Sequence, residues 1–97
     1  MMFKRRRAEG GRPPLTAAVL HGWLVEQIAE RVNCSPADID SAQPFENYGL
    51  DSRAAVQLSG KLEKLVEQRL SPAILFEYQT IDDLTVHLAD RLQLSAR

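Results

Sequence analysis

From Arg53 to Leu70 the chain carries no proline and one glycine, Gly60, and its apolar residues Leu58, Leu62, Leu65 and Val66 return at intervals of three and four. That spacing gathers them on one face of an α-helix and does not fit the two-residue alternation of a half-buried strand. An isolated amphipathic helix gains little stability, so the remaining sequence has to supply apolar faces for it to pack against. Thr16 can cap a helix running to about Asn33, with Ala18, Val19, Trp23, Leu24, Ile28, Ala29 and Val32 on its apolar side. Ser35-Pro36-Ala37-Asp38 combines a capping serine with proline in the first turn and predicts a short helical turn. Ser71-Pro72 repeats that signal ahead of the apolar turn Ala73-Ile74-Leu75-Phe76. Thr80 caps a last helix ending near Leu94; Asp82 and Asp83 suit its N-terminal dipole, and Leu84, Val86, His87, Leu88 and Leu92 supply the buried side. No strand-like alternation and no repeat is visible. The expected fold is all-α, a four-helix bundle of three longer helices and one short one, with Leu24, Ile28, Leu58, Leu62, Leu65, Leu84 and Leu88 as its core.

A length of 97 residues suffices for one domain and not for two. Hydrophobic residues at 44% against 26% charged suit a soluble globular protein, and no apolar run approaches membrane-spanning length. Met1-Met2-Phe3-Lys4-Arg5-Arg6-Arg7 is basic but has no apolar stretch behind it, so it does not read as a secretory signal. The single cysteine, Cys34, excludes an internal disulfide and a cysteine-based zinc site, and no other set of metal ligands is clustered. A cytoplasmic monomer that makes no membrane contact is expected. The net charge of −1 is unevenly spread: Lys4, Arg5, Arg6, Arg7 and Arg12 against Glu9 give residues 1–14 a charge of +4, leaving −5 on the remainder. Gly10-Gly11 and Pro13-Pro14 separate this basic segment from the body. The expected division is therefore a basic arm or linker over 1–14, one helical domain over 15–94 and a tail over 95–97.

The connection from Asp40 to Tyr48 is long for so small a domain; Ile39, Phe45 and Tyr48 are its apolar anchors, and Gly49 is free to adopt a positive φ. It delivers Ser52 to a helix start, where unpaired backbone N–H groups and the positive end of the dipole favour an attached phosphate. A serine so placed is a cap, a nucleophile or an attachment point. Nucleophilic catalysis needs an adjacent base, but His21 and His87 belong to other amphipathic helices. The flanking Gly-Leu-Asp-Ser-Arg also lacks the strand and second glycine of a nucleophile elbow. Asp82 and Asp83 are adjacent on a helix and point apart, which does not suit acid–base work. No catalytic residue is assigned. Asp51 could cap the helix as well as Ser52, which leaves a plain cap and an attachment point both open for the serine.

Phe45-x-x-Tyr48-Gly49-Leu50-Asp51-Ser52, followed by Ala55-Val56-x-Leu58, resembles the phosphopantetheine-attachment motif of acyl carrier proteins. The segment from Leu70-Ser71-Pro72 through Leu75-Phe76-Glu77-Tyr78 to Thr80-Ile81 and Leu84 is similar to the third-to-fourth helix region of polyketide-synthase carrier domains. Together the two motifs span roughly residues 16–94. The resemblance implies a non-catalytic carrier that holds acyl or polyketide intermediates as thioesters on a phosphopantetheine arm derived from coenzyme A. It implies that a phosphopantetheinyl transferase modifies Ser52 and uses Asp51 for recognition. An aspartate before the serine is similar to acyl carriers, since peptidyl carriers typically have Gly-Gly-His-Ser. Acyl-adenylate ligases, acyltransferases or ketosynthases are the implied later partners, in polyketide, hybrid or lipopeptide biosynthesis, with Arg53, Val56, Gln57, Gly60 and Lys61 as the expected docking residues beside the serine. Two features depart from fatty-acid-synthase carriers: Arg53, Lys61, Lys64 and Arg69 outnumber Glu63 and Glu67, and Arg53 replaces a commonly apolar residue. Leu58-Ser59-Gly60-x-Leu62-Glu63 with Trp23-Leu24-Val25 resembles carriers that act beside acyl-adenylate ligases. The alternative is a helical interaction domain that touches nucleic acid through Arg5, Arg6 and Arg7; the acidic, aromatic-poor body and the missing basic recognition stripe count against it.

Overall fold

The computed structural model describes residues 15–95, so the expected arm over 1–14 and the last two residues of the tail lie outside the described residues. Four α-helices follow one another: α1 (Ala17–Val32), α2 (Ser52–Val66), α3 (Ile74–Glu77) and α4 (Ile81–Leu92). Two short 3-10 turns, Pro36–Asp38 and Phe45–Tyr48, lie in the α1–α2 connection. The helix starts are fixed locally. Thr16 Oγ1 accepts from the Val19 amide at 3.1 Å and Thr80 Oγ1 from the Asp83 amide at 2.9 Å, each satisfying one of the unpaired first-turn donors. Ser35 Oγ likewise accepts from Ala37 N at 3.2 Å and starts the predicted turn at Pro36. Asn33, Glu67 and Gln93 take left-handed backbone angles and close α1, α2 and α4.

One core joins the three longer helices. Leu24 and Ile28 of α1, Leu58 and Leu62 of α2, and Leu84 and Leu88 of α4 are all buried, as expected. The remaining details depart from the sequence reading. At the start of α1, Leu20 is fully buried whereas Ala18 and Val19, expected on the apolar side, are exposed; Leu24, Ile28 and Ala29 face inward as expected. In α4, Val86 is 69% exposed and Ile81 and Thr85 are buried instead. A phase set by α1–α4 packing outweighs the hydrophobicity of a single valine. Leu65 is only half-buried. The second helix stops at Val66 rather than continuing to Leu70, and Leu70 reaches the core from the loop, its amide donating to Glu63 Oε2 at 2.7 Å. Ser71 caps an isolated turn by accepting from Ala73 N at 3.1 Å; α3 begins beyond it, at Ile74.

The long connection is tied down rather than loose. Phe45 is buried, and its amide donates to Gln79 O at 2.7 Å, next to a bridge between Pro44 and Thr80. The Tyr48 hydroxyl accepts from Asp40 N at 2.8 Å and donates to Asp40 O at 3.2 Å. Asp82 completes the bracing: its amide donates to Ser41 O, and its carboxylate meets His21 Nε2 at 2.9 Å, joining α4 to the connection and to α1. A hydrogen bond from the Ser41 side chain and the one to His21 hold the Asp82 carboxyl below its ordinary pKa. The end of the connection, and hence the start of α2, is anchored from two sides.

Candidate functional site

That anchoring delivers a short run of backbone, Gly49 to Ser52, into solvent. Gly49 adopts φ 75°, a left-handed conformation that glycine takes without a Cβ penalty, and its amide donates back to Glu46 O at 3.0 Å. Leu50 then turns inward and is buried. Asp51 is the cap: its Oδ1 accepts from Ala54 N at 2.9 Å and its backbone carbonyl from Ala55 N at 2.8 Å. This settles the choice that the residue types left open between the two capping candidates. Ser52 is the first helical residue, exposed, and its hydroxyl has no hydrogen-bond partner among the described residues. The amides of Ser52 and Arg53 are also unpaired among the described residues, as the first turn of a helix requires.

An exposed hydroxyl beside two unpaired N–H donors at the positive end of a 15-residue helix has little use as a cap. No imidazole or carboxylate is hydrogen-bonded to it, so nothing in the described residues activates it as a nucleophile. The Ser52 hydroxyl, the two free amides and the exposed Arg53 therefore lie together at the positive end of α2, where an anion is favoured. Arg53, Val56, Gln57 and Gly60 follow at one, four, five and eight residues from Ser52 and share its exposed side of α2; Lys61 lies at that side's far edge. Val56 is 52% exposed, and a Cβ placed on Gly60 would meet nothing within 4 Å.

Two surface hollows flank the start of α2. On the α3 side, Phe45, Leu50, Ala55, Leu75 and Phe76 line a cleft of only about 50 Å³, at whose edge Phe76 is 49% exposed. On the α1 side, a cleft of about 190 Å³ lies between Gln27, Ile28 and Arg31 of α1 and Ala54, Gln57 and Lys61 of α2. Neither the half-exposed Phe76 nor the α1 wall of the larger cleft was legible as part of a site in the sequence. Nothing local signals which residues of α1 face the first turns of α2.

The phosphopantetheine attachment site family matches residues 22–88, a stretch that contains Ser52 and all four helices in whole or in part. The chain belongs to that family. Over 72 residues it is 35% identical to a phenolphthiocerol/phthiocerol polyketide synthase of Mycobacterium tuberculosis; the match takes in 74% of this chain and 4% of the synthase polypeptide. The chain thus spans a small fraction of the curated relatives it matches. Two solved structures correspond at the scale of one domain. A free-standing peptidyl carrier protein of Acinetobacter baumannii superposes with a TM-score of 0.74 at 36% identity, over 80% of this chain and 98% of that one. An acyl carrier protein of Anabaena sp. PCC 7120 with a variant phosphopantetheinylation-site sequence gives 0.77 at 34% identity, over 84% and 92%.

The fold is therefore the acyl-carrier helical bundle, and this phosphopantetheine attachment domain is homologous to carrier domains of polyketide synthases. The family implies a covalently bound phosphopantetheine. Carrier domains of this family are generally non-catalytic and work with the enzymes of a synthase. Among the described residues no group of side chains is arranged to hold a metal ion, and no helix is long and apolar enough to cross a membrane.

Proposed function

We propose that Ser52 is the residue that carries phosphopantetheine, and that the chain is a non-catalytic carrier presenting acyl or polyketide intermediates to the enzymes of a polyketide, hybrid or lipopeptide pathway. The observation that carries this reading is the division of labour at the start of α2: Asp51 takes the cap hydrogen bond and leaves the Ser52 hydroxyl exposed and unpartnered. In the attachment step the Ser52 oxygen forms a bond to the phosphorus of coenzyme A, the phosphoanhydride bond breaks, and adenosine bisphosphate leaves. The hydroxyl proton passes to a base of the phosphopantetheinyl transferase, since no base here contacts Ser52. When bound, the arm supplies a terminal thiol that holds acyl groups as thioesters. The protein's own contributions are to fix the attachment oxygen on a rigid helix and to face the phosphate with the Ser52 and Arg53 amides.

Asp51 presents its carboxylate beside the serine and serves as a recognition group for the transferase. Arg53, Val56, Gln57, Gly60 and Lys61 form the docking face for that enzyme and for the acyl-adenylate ligase, acyltransferase or ketosynthase that follows it. All are exposed except Gly60, which is half-buried and leaves open space where a partner side chain can enter. The carrier acts as a cytoplasmic monomer with no nucleic-acid role. The test is intact-mass analysis after incubation with coenzyme A, magnesium and a broad-specificity transferase. The wild-type chain should gain one phosphopantetheine, and Ser52→Ala should fold but gain none. Modification of that variant at Ser35, Ser41, Ser59 or Ser71 would refute the assignment.

A further inference from the structure

The two hollows beside the start of α2 are not equivalent. The one next to α3, about 50 Å³, is lined mainly by apolar side chains, with Glu46 and Gln79 as its polar residues. The one between α1 and α2 is several times larger, about 190 Å³, yet still below the roughly 300–1,000 Å³ of pockets that enclose drug-sized ligands. Its volume is enough to cover a short acyl group. Its floor is apolar, with Leu50 and Ala54 carrying it to within two residues of Ser52 on either side.

The rim is polar and biased in charge. Arg31 of α1 and Lys61 of α2 stand on it, and neither has a carboxylate partner among the described residues; Lys61 Nζ reaches only the Gln27 side-chain oxygen, at 3.5 Å. The single acid on the rim, Glu30, leaves a net charge of +1 there. Arg53, Gln57 and Lys61 follow at intervals of four along the exposed side of α2, so a polar row leads from the serine round the first turns of the helix to the cleft. Two cations without a carboxylate partner among the described residues, two side-chain amides and a short apolar floor match one chemistry: a small acyl group with a carboxylate at its free end.

We propose that the α1–α2 cleft is a resting subsite for the group tethered to Ser52, selective for a short carboxylated acyl thioester through Arg31 and Lys61. This inference rests on the attachment reading above. Gln27 and Gln57 pair with the polar groups of the incoming chain, Leu50 and Ala54 cover its methylenes, and the two cations hold the carboxylate. An exposed ion contact of this kind biases a population modestly, by up to about fivefold at low salt, and loses that bias as salt rises. That scale keeps the cargo available to an enzyme that competes for it.

The test compares the full nitrogen-15-labelled chain loaded by a transferase from acetyl-coenzyme A or malonyl-coenzyme A, which differ in the terminal carboxylate. Mass analysis first establishes loading at Ser52. Malonyl loading should shift the side-chain amide signals of Gln27 and Gln57 and the backbone signal of Ala54 beyond their positions in the acetyl form. The difference should collapse at high salt and in the R31Q/K61Q double variant, whose unshifted core signals report an intact fold. E30Q, which removes the one acid from the rim, should enlarge it. Identical acetyl and malonyl spectra, a malonyl effect that survives in R31Q/K61Q, or shifts at Leu75 and Phe76 instead would overturn the subsite while leaving attachment intact. Failure to gain mass at Ser52 would overturn both.

Discussion

Asp51 is assigned two roles, and they can be separated. Its carboxylate caps α2 by accepting from Ala54 N at 2.9 Å, and it is proposed to present a negative charge to the transferase. Asp51→Ala removes both. Losing a cap of this type costs about 1 kcal/mol, with a range of roughly 0.5–2, and losing an acid at the positive end of a helix costs a further ~0.3–1 kcal/mol. The exposed position argues for the lower half of each range, so a loss of about 1–2 kcal/mol is expected. For a domain of this size that lowers Tm by roughly 4–8 °C per kcal/mol. Asp51→Asn retains an oxygen that can accept from Ala54 N and loses only the charge, so its stability should fall by a few tenths of a kcal/mol to ~1 kcal/mol. The two variants therefore differ in thermal unfolding, and both should be slow in the transferase mass assay. If Asp51→Asn is modified at the wild-type rate, the charge has no part in recognition and Asp51 is a cap alone. If Asp51→Ala unfolds at the wild-type temperature, the cap hydrogen bond contributes nothing and the account of how Ser52 is freed from capping fails.

Leu62 is fully buried where the longer helices meet, so Leu62→Ala should cost about 2–5 kcal/mol in urea unfolding, against about 0.5 kcal/mol or less at a surface site. The two glycines at the site should respond in opposite directions: Gly49→Ala, at φ 75°, should destabilise by about 1–2 kcal/mol, whereas Gly60→Ala should stabilise α2 by up to ~1 kcal/mol and, if a partner side chain enters there, slow acyl loading. The Asp82 carboxyl is depressed in the folded state by Ser41 and His21, so its contribution is present above the ordinary carboxylate pKa and is lost as pH falls through the folded value. The stability difference between wild type and Asp82→Asn, at most ~1 kcal/mol for so exposed a pair, should accordingly be seen at neutral pH and vanish in acid; a difference that persists in acid would deny the ionised carboxylate a role. Reversing Arg53 to glutamate should slow loading by the cognate ligase or synthase at low salt without altering the unfolding curve, and unchanged kinetics would remove Arg53 from the docking face.

The features that the sequence determined by itself are those set within a few residues of chain. Thr16, Ser35 and Thr80 announce helix or turn starts because a hydroxyl reaches a backbone N–H two or three positions ahead whatever the rest of the molecule does. The three- and four-residue spacing in α2 placed Leu58 and Leu62 in the core, and Gly49-Leu50-Asp51-Ser52 marked the candidate site because its turn, its two cap candidates and its serine are contiguous. Which of Asp51 and Ser52 takes the cap was open, since both side chains can accept that bond; the backbone decided it, with Asp51 extended as a cap requires and Ser52 already helical. Helix phase was open wherever apolar residues occur on more than one face. In α1, Val19 and Leu20 are neighbours about 100° apart, and in α4 Thr85 and Val86 are likewise, so packing of α1 against α4 chose Leu20 and Thr85 to be buried. The cleft was the least legible feature. Gln27 and Arg31 lie some thirty residues before Gln57 and Lys61 in the chain, and no local pattern encodes their meeting. They come together because each helix has already committed its most apolar face to the common core, which leaves the polar edges of α1 and α2 facing each other beside Ser52.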